Sequence, residues 1–310
     1  MKTVDLNFFP GFVRKSMTFT IDDGNVRLDR KFLSYVKEQG FLGTFNLVAG
    51  KMSALDPAGY RAFYEGFEIA NHCKLHPYAL DPEKTYDIAQ EPFDAATADP
   101  AKLYPVEGRP GFYHFAVRGN WREAADRETY LCMVDEGKAE LEEIFGKGSV
   151  RSYVWPYGEQ SDPVLFEEIA KRGYYGMRKT GNVDDSTGFA LPADRTRWSY
   201  NANYINMTEC AKKYEAYPDD GELKFFCFGV HSHDFENNHC WDILADFVGK
   251  YGNRPEDFWY ASVGDIFAYE DAIRQVTVTD GELRNPTGTD LWCKINGKRK
   301  ILRRHSTIAL

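Results

Sequence analysis

The apolar positions of the chain follow two alternating periods. Every second residue is apolar in residues 17–21, as expected for a strand, whereas Phe32, Leu33 and Val36 follow the spacing of a helix that Gly40 ends. Further strands are predicted at residues 44–48, 67–70, 150–154, 174–177, 223–230 and 258–263, and further helices at residues 141–145, 164–171, 241–251 and 265–274. Strands that alternate with helices predict an α/β architecture.

Two segments interrupt this alternation. Residues 81–130 contain many proline, glycine and aromatic residues and predict an irregular insertion. Its aromatic residues could stack on sugars in a substrate groove, or the insertion could be a packed flap or an oligomer contact, and we favour the structural role. Residues 276–310 lack helical periodicity and contain Asp280-Gly281 and Asn296-Gly297, which are typical of hairpin turns. We therefore predict a barrel-like domain over residues 1–275, with the insertion at about 81–130, and a small β extension over residues 276–310.

Composition and charge exclude several classes of protein. A chain of 310 residues, 43% of them hydrophobic, can form a full core, and its net charge of −9 argues against nucleic acid or an anionic membrane as a partner. Asp5 and Asn7 interrupt any N-terminal apolar stretch, so no signal peptide is visible and a cytoplasmic location is expected. Six widely spaced cysteines without a Cys-x-x-Cys pair predict free thiols. The sequence says nothing about the oligomeric state.

The first candidate for chemistry is the Asp22-Asp23-Gly24 segment at the end of a predicted strand. In parallel α/β folds, that end of the strands is where functional sites lie. Adjacent side chains diverge as they leave a strand, so one carboxylate can bind a metal while the other faces a bound water molecule. By itself, the same sequence is more often an ordinary turn.

The second candidate is the pair His72 and His76. Histidines four residues apart on one helical turn share a face and can reach one ion, and Pro77 would end that turn. Cys73 would point away from this face. Two histidines and one carboxylate leave coordination positions open, as a catalytic zinc site requires.

The third candidate is a pair of histidines, His231 and His233, directly after the apolar stretch 223–230. Either imidazole could protonate a leaving group if the strand ends at the same rim as the other two clusters. The alternative is that both are surface or capping residues.

Taken in order, these segments resemble the polysaccharide deacetylase family, also known as carbohydrate esterase family four. Residues 20–24 are similar to its T-F-D-D-G motif, and residues 67–72 with His76-Pro77 are similar to its G-H-E-[IL]-G-N-H-[ST]-x-x-H-P motif. Weaker similarities lie at residues 44–46, 155–158, 170–174 and 228–231, so that the resemblance covers about residues 15–270. It implies a distorted (β/α) barrel that binds one divalent metal, with zinc expected and cobalt or nickel as alternatives.

The resemblance also implies roles for individual residues. Asp23, His72 and His76 would be the metal ligands, Asp22 the general base and His231 the acid. The backbone N–H of Tyr157 would stabilise an oxyanion. Separately, we predict that Trp155, Tyr157 and His233 contact substrate.

Three positions depart from the family pattern. The motif arginine that braces the base falls on Val154, and Arg178, at the end of the next strand, is the candidate replacement. Cys73 stands where the family has serine or threonine. For the aspartate that orients the catalytic histidine, Asp184, Asp185 and Asp194 remain open.

The resulting hypothesis is a metal-dependent hydrolase that removes N- or O-linked acetyl groups from a carbohydrate or a small acylated substrate. One alternative is a cyclic amide hydrolase resembling allantoinase, which the absence of a visible signal peptide favours. The other is a glycan-binding protein on a decayed enzyme scaffold. The missing motif arginine favours that reading, whereas the retention of Asp22 and all three ligands argues against it.

Overall fold

The fold is described from a computed structural model. The described residues are 3–158, 162–179, 188–279 and 281–310. Within them the strands are β1 (Val4–Phe8), β2 (Lys15–Asp23), β3 (Thr44–Leu47), β4 (Glu68–Asn71), β5 (Tyr78–Ala79), β6 (Asp87–Ile88), β7 (Lys102–Pro105), β8 (Phe112–Val117), β9 (Asn120–Ala125), β10 (Ser152–Val154), β11 (Gly176–Arg178), β12 (Lys224–His231), β13 (Phe258–Tyr260), β14 (Thr277–Thr279), β15 (Glu282–Asn285), β16 (Leu291–Ile295), β17 (Lys298–Leu302) and β18 (Ser306–Ala309). The helices are α1 (Val26–Val36), α2 (Pro57–Phe63), α3 (Arg127–Phe145), α4 (Pro163–Lys171), α5 (Met207–Ala216), α6 (Ser232–Asn237), α7 (Trp241–Tyr251) and α8 (Val263–Arg274).

A parallel sheet with strand order β11-β10-β4-β3-β2-β12 forms the centre of the fold. The β13 strand pairs with the first half of β2, on the edge that β3 occupies further along. Parallel bridges from Trp198 to Arg178 and from Ala202 to Phe228 connect β11 to β12 and close the sheet into a ring. The predicted fold class, a distorted (β/α) barrel with C-terminal strands, is confirmed.

The alternation of residues along β2 separates the apolar core from a polar barrel interior. Phe19 is fully buried and its ring lies 5.0 Å from that of Phe32 on α1. Thr20 and Asp22 point to the opposite side, where both accept hydrogen bonds from the Asn46 side chain on β3. The strand that packs the core therefore also carries polar groups into the barrel.

The insertion contains more regular structure than the sequence predicts. Strands β5 to β9 form a sheet of order β5-β9-β8-β7-β6, so the prediction of irregular structure is wrong for most of residues 102–125. The sequence did not predict these strands because they are short and β9 lacks alternating apolar residues. Phe93 supports the sheet, because its ring lies 4.9 Å from Trp121 and 5.6 Å from Tyr104.

The C-terminal segment consists of hairpins, as predicted. Strands β16 and β17 are joined at Asn296 and Gly297, which both have positive φ (51° and 76°), the conformation that this turn sequence favours. The β1 strand extends that hairpin, whereas β14, β15 and β18 form a second sheet. Asp280 lies outside the described residues.

The predicted helical turn at the two histidines is also wrong. Residues 72–77 are not a helical turn but a loop that follows β4. Elsewhere, no helix among the described residues is long and apolar enough to cross a membrane.

Candidate metal centre and active site

The candidate residues meet at one rim of the barrel because the strands that carry them are parallel. Strand β2 ends in the two aspartates, and its neighbours β3 and β12 place Asn46 and His231 in register with Asp22. The ends of β4 and β10 lead into the loops that contain the candidates at residues 72–76 and 155–157, and β11 ends at Arg178. This rim is the carboxyl end of the strands, where barrel enzymes hold their functional groups.

Asp23, His72 and His76 converge on one point. The Nε2 atoms of the two histidines lie 3.0 Å apart, and Asp23 Oδ1 lies 3.7 Å from Nε2 of His72 and 3.5 Å from Nε2 of His76. Ligands of a tetrahedral zinc ion are separated by ~3.3 Å, given bonds of about 2.0–2.1 Å. The three distances bracket this value, so the three atoms can bind one cation with little movement.

The chemical state of this cluster also fits a divalent cation. Asp23 Oδ1 is buried without a hydrogen-bond partner among the described residues, which is costly unless a cation occupies the space beside it. Burial lowers the pKa of His72, and burial with the nearby His72 lowers the pKa of His76 to about 3. Both imidazoles are therefore neutral and have a lone pair to donate.

A backbone contact fixes the orientation of His72. Its Nδ1 lies 2.9 Å from the carbonyl oxygen of Val154, so Nδ1–H donates there and leaves Nε2 free to act as a ligand. Val154 stands where the resemblance predicts an arginine, and its side chain has no polar group. The position thus contributes its backbone to the site.

The loop that carries the histidines is held in an unusual conformation. Cys73 and His76 have φ values of 67° and 59°, in the left-handed region that non-glycine residues rarely adopt. Asn71 supports this loop, because its Oδ1 accepts from Cys73 N at 3.0 Å and its Nδ2 donates to Val134 O at 2.8 Å. The Cys73 side chain is fully buried, and its thiol is not part of the ligand cluster.

Asp22 lies beside the metal cluster and is held by two neighbours. Nη2 of Arg178 donates to Asp22 Oδ1, and Nδ2 of Asn46 donates to the same oxygen at 2.6 Å. Burial raises the pKa of Asp22, but the Arg178 guanidinium, together with His231, outweighs burial and holds the pKa well below its usual range. Asp22 is therefore ionised, and Arg178 occupies the bracing position left open by Val154.

His231 lies on the other side of Asp22, with Nε2 at 3.9 Å from Asp22 Oδ2. Its Nδ1 lies 3.0 Å from Asp234 Oδ2. Burial lowers the pKa of His231, but the Asp234 hydrogen bond and the charge of Asp22 raise it overall to about 9. His231 can therefore hold a proton at Nε2, facing the site.

Tyr157 forms a third side of the site. Its φ of 58° is again left-handed, and its backbone N–H donates to no atom of the described chain. The ring is fixed between two others, in T-shaped contact with His76 at 4.5 Å and stacked on Tyr78 at 3.7 Å. Tyr78 lies on β5, so the insertion sheet is attached directly to the site.

Several sequence predictions require correction. Trp155 is fully buried against Phe166, so its side chain cannot contact substrate. Asp194 accepts from Thr196 on an exposed turn and does not orient His231. Asp184 and Asp185 lie outside the described residues. His233 lies beside His231, and its side chain is 37% exposed.

Three further residues contact the candidate site and were not predicted from the sequence. Asp234 follows His231 by three residues, a capping spacing that could have identified it. Asn46 lies on a strand already matched to a family motif, where its polar side chain was a usable signal. Tyr78 directly follows His76-Pro77, but nothing in the sequence predicts its contact with Tyr157.

Comparison with known proteins gives a family match. The polysaccharide deacetylase family model matches residues 11–177. No curated protein is significantly similar to the chain in sequence.

Several solved structures are similar to this chain. A family 4 carbohydrate esterase from Streptomyces lividans, in complex with acetate, is 13% identical, with 76% of this chain and 88% of that chain covered and a TM-score of 0.41. A family 4 acetyl xylan esterase from Clostridium thermocellum is 12% identical, with coverage of 82% and 91% and a TM-score of 0.44. A CE4 esterase from Streptococcus mutans is 14% identical, with coverage of 80% and 86% and a TM-score of 0.45. Similarities at this low level of sequence identity do not identify a substrate for this chain.

Proposed function

Because this chain belongs to the polysaccharide deacetylase family, we propose that it removes acetyl groups from a carbohydrate with the help of one divalent metal ion. The observation that carries the proposal is the arrangement of five side chains at the barrel rim. Asp23, His72 and His76 form a three-ligand cluster, with Asp22 and His231 next to it. A ligand cluster beside one base and one acid matches the needs of hydrolysis.

The cation would be held by Asp23 and by Nε2 of His72 and His76. When bound, it would act as a Lewis acid toward the acetyl carbonyl and lower the pKa of a coordinated water molecule. Zinc suits two imidazoles and one carboxylate, and cobalt or nickel can replace it.

Asp22 would accept the proton of the attacking water. Its carboxylate is ionised, and Arg178 and Asn46 fix one of its oxygens, Oδ1. The other oxygen, Oδ2, faces His231. A fixed base costs little reorganisation when the water attacks.

Tyr157 and His231 would act on the two atoms that gain negative charge during hydrolysis. These are the carbonyl oxygen of the acetyl group and the departing sugar oxygen or nitrogen. The backbone N–H of Tyr157, which has no partner among the described residues, would donate to the oxyanion formed from the acetyl carbonyl. Nε2 of His231 would protonate the departing sugar oxygen or nitrogen, while Asp234 stabilises the imidazolium.

An acetate-release screen tests this proposal. N- and O-acetylated oligosaccharides are incubated with protein reconstituted with zinc, cobalt or nickel, and cyclic amides such as allantoin are assayed in parallel. We expect acetate from at least one acetylated sugar and no opening of the cyclic amides. Hydrolysis of cyclic amides alone would contradict the proposal, as would sugar binding without turnover in metal-replete protein.

A further inference from the structure

A second group of possible metal ligands lies at the start of α6. His231, His233 and Asp234 bring two imidazole nitrogens and a carboxylate oxygen within 4.8 Å of one another. Nδ1 of His231 lies 3.0 Å from Asp234 Oδ2, and Nε2 of His233 lies 3.8 Å from Asp234 Oδ1. None of these residues belongs to the Asp23 cluster.

The dimensions of the group suit one ion. Ligands of a tetrahedral zinc ion lie ~3.3 Å apart. One ligand atom from each of the three residues lies within 4.8 Å of the other two, so side-chain rotations can bring all three atoms to bonding distance. The side chains of His231 and His233 are each 37% exposed and that of Asp234 is 23% exposed. A cation can therefore reach the group from solvent.

Helix capping accounts for only part of the arrangement. Asp234 Oδ2 accepts from the backbone N–H of His231 at 2.8 Å as well as from its ring, which completes a capping box. His233 has no part in that cap. Its ring instead lies 4.6 Å from the ring of His231, nearly parallel at 21°, and Asp234 is its acidic neighbour.

We propose that His231, His233 and Asp234 form a second divalent-cation site whose occupation inhibits the enzyme. Two imidazoles and one carboxylate favour zinc, cobalt, nickel or copper over magnesium or calcium. To bind the cation, Nδ1 of His231 releases its proton to solvent and gives its lone pair to the metal.

Inhibition follows because His231 is both the proposed catalytic acid and a ligand of the second cation. This part rests on the proposed function. With Nδ1 bound to a cation, His231 retains one proton, on Nε2. Donating that proton to a leaving group would produce an imidazolate, which is far less favourable than the neutral imidazole that the free residue becomes. The cation also takes Asp234 away from its hydrogen bond to Nδ1. The site would thus remove the acid without displacing the catalytic metal.

Cobalt and zinc titrations of chelator-stripped protein test binding without any substrate. We expect two equivalents for the wild type, monitored by calorimetry and by the cobalt absorption spectrum. His72→Ala should lose the tighter equivalent and His233→Ala the weaker one. His239→Asn is the matched control and should retain both, because His239 is exposed beyond the same helix and asparagine tolerates its φ of 52°.

The result that would overturn the site is a single equivalent in the wild type, or two in His233→Ala. Circular dichroism of each variant separates site loss from unfolding. For inhibition, acetate release by the wild type should rise and then fall as zinc increases, whereas His233→Ala should show no fall relative to its own maximum. Two equivalents without a fall would overturn the inhibitory role alone. Absence of turnover on every acetylated sugar would count against the proposed function, while the stoichiometry would still decide the site.

Discussion

At the scale of single residues, four residues of the site have the left-handed backbone conformation that non-glycine residues disfavour. Asp23, Cys73, His76 and Tyr157 all have φ between 58° and 79°. Each such residue costs about 1–3 kcal/mol, so the surrounding contacts must hold it. Three of these residues are the proposed ligands Asp23 and His76 and the proposed donor Tyr157, so the strain coincides with the proposed site.

Asp22→Asn tests the assignment of the base. Asparagine keeps the shape and the contact with Asn46 but cannot accept the proton, so turnover should fall by about 10²–10⁴-fold. Metal content should be unchanged, because the ligands are untouched. Acetate release and elemental analysis of the same preparation check both expectations. Loss of metal together with activity would mean that Asp22 is a ligand instead.

A second aspartate gives a pH-dependent stability. Asp29 is buried on α1, where its Oδ2 accepts from the Tyr64 hydroxyl at 2.8 Å. Burial, with a smaller contribution from Asp23, raises its pKa to about 6. Since the folded pKa lies above the ordinary value of 3.8, the unfolded chain binds fewer protons between these pH values, and stability falls as pH rises through that window.

Asp29→Asn removes this dependence. As pH rises from about 4 to about 7, the free energy of unfolding of the variant should increase relative to that of the wild type, by up to about 3 kcal/mol at pH 8. Urea denaturation at pH 4.5 and pH 8 measures the difference. An equal difference at the two pH values would show that Asp29 ionises as readily in the folded state as in the unfolded chain.

Much of the site could be predicted from residue spacing, and the remainder depended on contacts between distant parts of the chain. The two motifs indicated Asp22, Asp23, His72 and His76, and the structure brings these residues together. Trp155 was misassigned because its neighbour Tyr157 reaches the surface while Trp155 turns into the core. A sequence pattern alone does not show which of two aromatic residues two positions apart turns inward.

At the scale of elements, apolar runs predicted the barrel strands well because buried parallel strands are nearly continuous in apolar character. The same criterion failed for residues 72–77. Histidines four residues apart fit a helix, but Asn71 and the packing of Gly137 from α3 hold the segment as a loop. A Cβ on Gly137 would lie 2.7 Å from Asn71 Oδ1, which shows how closely that helix approaches. Such tertiary contacts leave no periodic signal.

The register of two neighbouring strands accounts for the position of Arg178. Val154 on β10 and Arg178 on β11 are direct partners in the parallel register. A guanidinium from either position starts at the same level of the barrel. We infer that Arg178 on the adjacent strand takes the place of the arginine that the resemblance predicts at position 154.

Exchanging the two side chains tests this interpretation. Arg178→Val alone leaves Asp22 buried without its cation, which should cost about 3–5 kcal/mol of stability and most of the activity. Adding Val154→Arg should restore part of both. Denaturant midpoints and acetate release of the two variants provide the comparison. A double variant no better than Arg178→Val would show that the position on β10 cannot reach Asp22.

At the scale of the whole molecule, the site depends on closure of the barrel. Residues 198–202 bridge β11 and β12, and the Tyr200 ring packs against Gly229 and lies near Arg178. A Cβ on Gly229 would meet that ring at 2.0 Å. The sequence did not predict this bridge because it consists of isolated pairs rather than a strand.

Gly229→Ala should therefore destabilise the protein by about 1–3 kcal/mol and reduce activity, since Tyr200 must move. Gly249→Ala is the control. It lies in α7, where an added Cβ meets nothing within 4 Å, and alanine there should stabilise by about 0.5–1 kcal/mol. Thermal or urea unfolding of both variants checks the contrast. Equal effects would mean that the closing segment adapts freely.

The central claim is that hydrolysis needs one cation held by Asp23, His72 and His76. The most direct measurement is acetate release by chelator-stripped protein before and after addition of one equivalent of zinc, with His76→Ala treated in parallel. We predict no release from stripped protein, recovery on addition to the wild type and none in the variant. Full acetate release by the stripped wild type would contradict the account.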